Sequence, residues 1–210
     1  MENVHVLNHP LISHKIAQLR DVATKPAQFR LIISEIARLE AYEALRDQPT
    51  HTINVETPLE VTPQEVLDEA NICFVPILRA GLSMSDGVSS LLPNAPIGHI
   101  GMYRENGTHI AHEYYSRFPD RVTEMSVLLL DPMLATGGSA IDAVRNLRNR
   151  GVKDIRFLCI IAAPEGVKRF HEEFPDVPLY IAALDRQLNE NDYILPGLGD
   201  AGDRVFGTLL

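Results

Sequence analysis

The chain reads as an α/β protein, a parallel sheet flanked by helices, and three features of its sequence predict this. Apolar runs of strand length recur along it: "ICFVPIL" (72–78), "IGHIGMY" (97–103), "VLLL" (127–130), "IRFLCIIAA" (155–163) and "LYIAAL" (179–184). Segments of helical pattern separate most of them, and strands apolar on both faces belong to a parallel sheet covered on both sides. The length of 210 residues, 45% hydrophobic and 22% charged, suffices for one core, so a single domain over 1–210 is expected.

From the N-terminus, apolar residues recur at helical spacing: Leu11, Ile12, Ile16 and Leu19, then Phe29, Ile32, Ile33, Ile36, Leu39 and Tyr42. This predicts two amphipathic helices broken near Pro26. "HTINVETPLEV" alternates as a half-exposed strand, and Pro58 confines it to an edge, so residues 1–60 form a helical arm with an edge strand. "TPQEV" then predicts a helix start, with Thr62 as cap, Pro63 at the first helical position and Glu65 closing a capping box. The best-defined unit is βαβ: strand 127–130, a helix from Ser139 to Arg150 stopped by Gly151, and strand 155–161. Residues 104–124 are polar and too long for a tight connection, which predicts a flap. In 185–210, Gly197, Gly199, Gly202 and Gly207 predict irregular backbone.

Composition excludes several classes. No apolar run approaches the roughly 20 residues of a membrane helix, and the N-terminus lacks a secretory pattern. Cys73 and Cys159 lie inside apolar runs as buried thiols; together these predict a cytoplasmic location and no membrane partner. With 19 Lys and Arg against 28 Asp and Glu, a net charge of −9 argues against nucleic-acid binding. Arg20, Lys25, Arg30 and Arg38 on the N-terminal helices are expected on a solvated face or at a nucleotide effector.

Two strand ends carry chemistry. "LLLDPMLATGGSA" (128–140) runs a strand into Asp131 and then a turn where a helix begins. Gly137 and Gly138 let amide N–H groups converge, Thr136 and Ser139 add hydroxyls, and the helix terminus adds partial positive charge, which together hold a monophosphate. A triphosphate-binding loop would need a Lys that is missing here, and the dinucleotide glycine spacing is also absent. Asp131, aimed at the same pocket, suits the two hydroxyls of a ribose. At the second strand end, "VPILRAGL" places Arg79 before the small pair Ala80 and Gly81, a receptor for another anionic group such as a diphosphate. Arg104, opening the flap, is placed to clamp that group.

"LLLDPMLATGGSA", "VPILRAGL", "GMYR", "APEG" and "YILPGLGDAGDRVFGT" together resemble the uracil phosphoribosyltransferases, over nearly the whole chain. The resemblance implies a phosphoribosyltransferase-like fold with a β flap and a C-terminal base-binding hood. It implies that phosphoribosyl diphosphate (PRPP) and uracil give UMP and diphosphate. PRPP would meet Asp131, Pro132, Met133, Leu134, Ala135, Thr136, Gly137, Gly138 and Ser139, with Arg79 and Arg104 on the diphosphate and Asp200 facing PRPP and its metal. Arg79, Arg104 and Asp131 would serve catalysis. Uracil would be read by Ile194, Gly199 and Ala201 through backbone, next to Asp200. Many relatives carry two adjacent acids and a further Asp before the Thr-Gly. This chain has Asp131-Pro132 and Ala135, changes the uracil branch shares, so Mg²⁺ is expected to be held mainly by PRPP and water. Some relatives respond to GTP, and a homo-oligomer, dimer or tetramer, is expected on the same ground. Rival readings are a PRPP-sensing RNA-binding regulator, and transfer to hypoxanthine or orotate.

Overall fold

The computed structural model describes residues 1–104 and 111–208, apart from the side chains of Tyr103, Arg104, Ala111 and His112. The apolar runs become strands: β4 (Ile72–Leu78), β5 (His99–Arg104), β7 (Ser126–Leu130), β9 (Asp154–Ala162) and β10 (Leu179–Leu184). With β1 (Val4–Val6) and β6 (Ala111–Arg117) they lie in the order β1-β10-β9-β7-β4-β5-β6, and the short β8 (Met133–Leu134) pairs with β9. Every pairing in this sheet is parallel except β5 with β6.

Side-chain alternation explains why these runs are apolar throughout. Leu128, Leu158 and Ile160 point toward α1 (Pro10–Arg20) and α2 (Pro26–Ala44), packing with Ile16, Phe29 and Ile33. Val127, Leu129, Phe157 and Cys159 point the other way, toward Ile141, Val144 and Leu147 of α4 (Gly138–Asn149) and Phe170 of α5 (Pro164–Glu173). Phe157 and Phe170 pack as a tilted pair, 5.2 Å between centroids, and burying each ring contributes about 2–3 kcal/mol. Both cysteines are free and buried, and burial pushes the Cys73 thiol up to about 11.

The chain leaves the sheet in opposite directions at its centre. After β4 it crosses through α3 (Leu82–Ser89) to β5; after β7 it crosses through α4 to β9. The crevice between neighbouring β4 and β7 is therefore a topological switch point, where ligands bind in open α/β sheets.

Two local expectations need correction, one on residues 62–66 and one on the first two helices. Residues 62–66 are not a helix start: Val61–Leu67 is strand β3, antiparallel to β2 (Thr50–Glu56) in a separate hairpin. Pro63 is tolerated because a two-stranded sheet has only edges. The carboxylate of Glu65 accepts from the Thr50 and Thr52 hydroxyls across the hairpin instead of capping a helix. Within 104–124, Ala111–Arg117 forms edge strand β6, while residues 105–110 lie outside the described residues. On the first two helices, Leu11 and Tyr42 are exposed, and the buried stripe of α2 runs instead through Ala37, Glu40, Ala41 and Ala44. Strand β1, whose three residues are too few to show a period, was not expected at all.

Candidate active site

The two strand ends meet because of register. Pro76 of β4 lies opposite Leu130 of β7, so Arg79 and Asp131 leave the sheet side by side. The turn after β4 presses hard against its neighbour: a Cβ on Gly81 would lie 2.4 Å from the Leu130 carbonyl oxygen, so only glycine fits. The peptide between Leu78 and Arg79 is cis. The Arg79 guanidinium lies 5.7 Å from the centre of the Phe206 ring, and among the described residues it forms no ion pair. Arg104 closes β5; its side chain lies outside the described residues.

After β7 the backbone returns to the sheet for two residues, Met133 and Leu134 pairing with Ile161 and Ala162, and then turns at Gly137 with φ +82°. Gly137 is the N-cap of α4 and brings no capping side chain, so the first N–H groups of the helix face the turn without one.

The opposite wall comes from the C-terminal segment. The hairpin of β11 (Gln187–Leu188) and β12 (Ile194–Leu195) precedes a glycine-bearing loop and α6 (Ala201–Phe206). Gly197 (φ +64°) and Gly199 (φ +81°) adopt left-handed backbone, and a Cβ on Gly197 would meet the Ile194 carbonyl oxygen at 2.1 Å. Buried Asp185, just past β10, anchors this loop: it accepts from the Gly197 N–H at 2.8 Å and pairs with Arg20, which also donates to the Gly197 carbonyl at 2.7 Å. Arg30 donates to the Val205 carbonyl, and Arg204 lies over the Phe29 ring while donating to Leu19 and Leu198 carbonyls. Arg20 and Arg30 are thus not free members of a solvated basic face. They tie the N-terminal helices to the C-terminal loop.

These walls enclose one cavity of about 670 Å³. Of the expected site residues it gathers Arg79, Asp131, Pro132, Met133, Leu134, Ala135, Gly137, Ser139, Gly199, Asp200 and Ala201 on its lining. Thr136 and Gly138 belong to the same turn without lining the cavity. The Ile194 side chain is buried in the core rather than on the wall. Asp200 caps α6, accepting from the Asp203 N–H at 2.9 Å. Sequence reasoning missed Met102 and Tyr114 on β5 and β6, and Asn191, Asp192 and Tyr193 at the tip of the β11–β12 hairpin. The tip is an Asx turn, in which the Asn189 side chain accepts from the N–H groups of Asn191 and Tyr193 and Asp192 takes φ +62°; the Asn and Asp residues there mark a turn in the sequence but not where it docks.

Fold comparison defines the class. An adenine phosphoribosyltransferase of Trypanosoma brucei superposes with a TM-score of 0.60, covering 95% of this chain and 89% of that one at 13% identity, so the fold is that of the phosphoribosyltransferases. A solved Aquifex aeolicus protein superposes with a TM-score of 0.94 at 39% identity over 99% of both chains. The family model described as uracil phosphoribosyltransferase matches residues 6–208, and a uracil phosphoribosyltransferase of Staphylococcus aureus (strain Newman) is 52% identical, covering 99% of this chain and 100% of that protein. The chain belongs to the uracil phosphoribosyltransferase family.

Proposed function

We propose that this protein transfers the phosphoribosyl group of PRPP to uracil, giving UMP and diphosphate. The shared cavity carries the reading, because a phosphate turn, a strand-end arginine and a glycine-bearing loop from distant parts of the chain face one space. The 5′-phosphate sits in the Thr136–Ser139 turn, Asp131 accepts from the ribose hydroxyls, and Arg79 and Arg104 hold the diphosphate. In the reaction the bond from C1′ to diphosphate breaks, with its electron pair leaving on the diphosphate. N1 of uracil attacks the opposite face of C1′, and its proton ends on the released diphosphate or water, which balances the step. The arginines stabilise charge growing on the departing oxygens, and closure over the site keeps water out.

Main-chain groups around Ile194, Gly199 and Ala201, beside Asp200, match the acceptor, donor and acceptor edge of uracil. Cytosine would leave buried groups unpaired, a mismatch worth roughly 10⁴-fold. Three carboxylates on the cavity wall, Asp131, Asp192 and Asp200, would repel a diphosphate unless a cation came with it. That donor set fits Mg²⁺ brought by PRPP and its water, with Asp200 facing it. Bound there, the ion neutralises diphosphate charge.

A homo-oligomer belongs to the same reading, supported by the exposed apolar side chains of Leu82, Ile97 and Phe206, which border one second cavity. A GTP response belongs to the same reading, supported by two exposed cations outside the ties described above, Lys25 at the N-cap of α2 and Arg38 on that helix. A cytoplasmic location is supported by the two free thiols, and among the described residues no helix is long and apolar enough to cross a membrane.

The test incubates the protein with PRPP, Mg²⁺ and each of uracil, cytosine, orotate and hypoxanthine. UMP from uracil alone is expected. A nucleotide from another base, or no product at all, overturns the reading.

A further inference from the structure

The "APEG" stretch resembles the family, yet the reaction described above gives it no task. It follows β9 directly, Ala163 being the N-cap of α5 and Pro164, Glu165 and Gly166 its first turn, and successive residues of that turn touch opposite walls of the cavity. Gly166 lies beneath the phosphate turn: a Cβ there would sit 2.2 Å from the Ala135 carbonyl oxygen and 2.9 Å from that of Leu134. Its own carbonyl oxygen lies 3.3 Å from the Cβ position of Gly137. One helical turn on, Arg169 donates to the Thr136 carbonyl at 3.2 Å. Glu165 faces the other way, and its carboxylate accepts from the Leu188 N–H of β11 at 3.0 Å. That hairpin carries Asn191, Asp192 and Tyr193 to the cavity wall.

We propose that Glu165 and Gly166 are positioning residues that set the spacing between the two ends of the site, Gly166 seating the 5′-phosphate turn and Glu165 the base-side hairpin. The inference rests on the PRPP and uracil reading above. A helix is stiff over one turn, so neighbouring residues on it fix the relative place of whatever each holds. A nucleoside monophosphate spans that gap from phosphate to base. A shift of either wall therefore weakens one substrate without touching the other, and geometric errors of about 1 Å at such supports are enough to cost turnover.

The experiment is a crossed kinetic comparison. Glu165→Ala removes the acceptor for Leu188 and should raise the KM for uracil about tenfold, the scale of one lost hydrogen bond, with the KM for PRPP within about twofold of wild type. Glu165→Gln keeps an acceptor oxygen and should recover most of the loss. Gly166→Ala should do the reverse, raising the KM for PRPP about tenfold or more with uracil little changed. Should Gly166→Ala fail to fold, Arg169→Ala, at an exposed position, should raise the KM for PRPP about threefold alone. Equal rises in both constants, or none, would mean that α5 is only a packed helix and would overturn the proposal. If wild-type protein made no UMP from uracil, the base reading would fall and the Glu165 role with it. Calorimetric binding of PRPP to wild-type and Gly166→Ala protein would still decide the phosphate half.

Discussion

The two ends of the cavity are built in opposite ways. The end proposed for the phosphate is one contiguous segment, residues 131–139, held by a strand before it and a helix after it. The end proposed for the base is a loop whose shape depends on residues far away in sequence: Arg20 on Asp185 and Gly197, Arg30 on Val205, and Arg204 on Leu19 are each 165 or more positions apart. A turn between two regular elements inherits their rigidity. A glycine-bearing loop has none of its own, and its cross-chain hydrogen bonds must supply it.

The strongest way to break this contrast is to cut a tie at the base end. Asp185→Ala leaves Arg20 without its carboxylate and Gly197 N–H without its acceptor, and truncating one partner of such a pair costs about 3–5 kcal/mol. For a chain of this size that lowers the melting temperature by roughly 10 °C. Thermal unfolding measures the loss, and the KM for uracil should rise well beyond that for PRPP. Equal effects on both substrates would mean that Asp185 supports the whole site rather than one end.

Next in size is Ala201→Pro. Ala201 is the first residue of α6, where proline suits the helix, and Asp200 before it already has extended backbone (φ −80°, ψ 116°), which proline requires of its predecessor. The change therefore removes an amide N–H while sparing the fold. Uracil kcat/KM should fall about a hundredfold, as when a buried group loses its partner, and PRPP binding should hold within about threefold. Unaltered uracil kinetics would contradict backbone readout of the base.

At the phosphate end, Asp131→Asn should lower kcat/KM for PRPP about thirtyfold, because the carboxylate makes charge-assisted hydrogen bonds that an amide makes more weakly. Its melting temperature should stay within about 2 °C, since the position is only half-buried. Unchanged PRPP kinetics would remove the role assigned to Asp131 on the ribose.

The same contrast explains what the sequence could show. "ICFVPIL" and "LYIAAL" match β4 and β10 residue for residue, and the helix expected from Ser139 to Arg150 lies one residue from α4. Period and turn chemistry are local, so local patterns predict them. Hairpin β2–β3 went wrong where a capping signature competed with cross-strand pairing, which a single segment cannot display. Asp131, Arg79 and the turn glycines were legible because each sits beside its own strand end. Asn191, Asp192 and Tyr193 were not, since their place on the cavity wall depends on where the hairpin docks. The anchoring of the C-terminal loop by Arg20 and Asp185 has no sequence signal short of the fold itself.

Glu40 sharpens the point with the smallest expected effect. Helical spacing puts it on the core side of α2, yet its charge argues for solvent; it is fully buried, and among the described residues its carboxyl oxygens meet only a weak approach from the Ala182 backbone. Burial raises its pKa well above the ordinary 4.5, and the backbone at Ala182 offsets this only in part. The fold therefore favours the neutral acid more than the unfolded chain does. Its folded pKa exceeds the unfolded one, so its contribution to stability is fully present below about pH 4.5 and declines as pH rises toward the folded value. Glu40→Leu should stabilise the protein by about 1–2 kcal/mol near pH 8 and leave uracil and PRPP kinetics intact. The gain should shrink as pH falls toward 4.5, where the unfolded carboxyl also becomes neutral. Chemical denaturation of both proteins across that range measures the difference, and a gain independent of pH would mean that Glu40 is not the group being discharged.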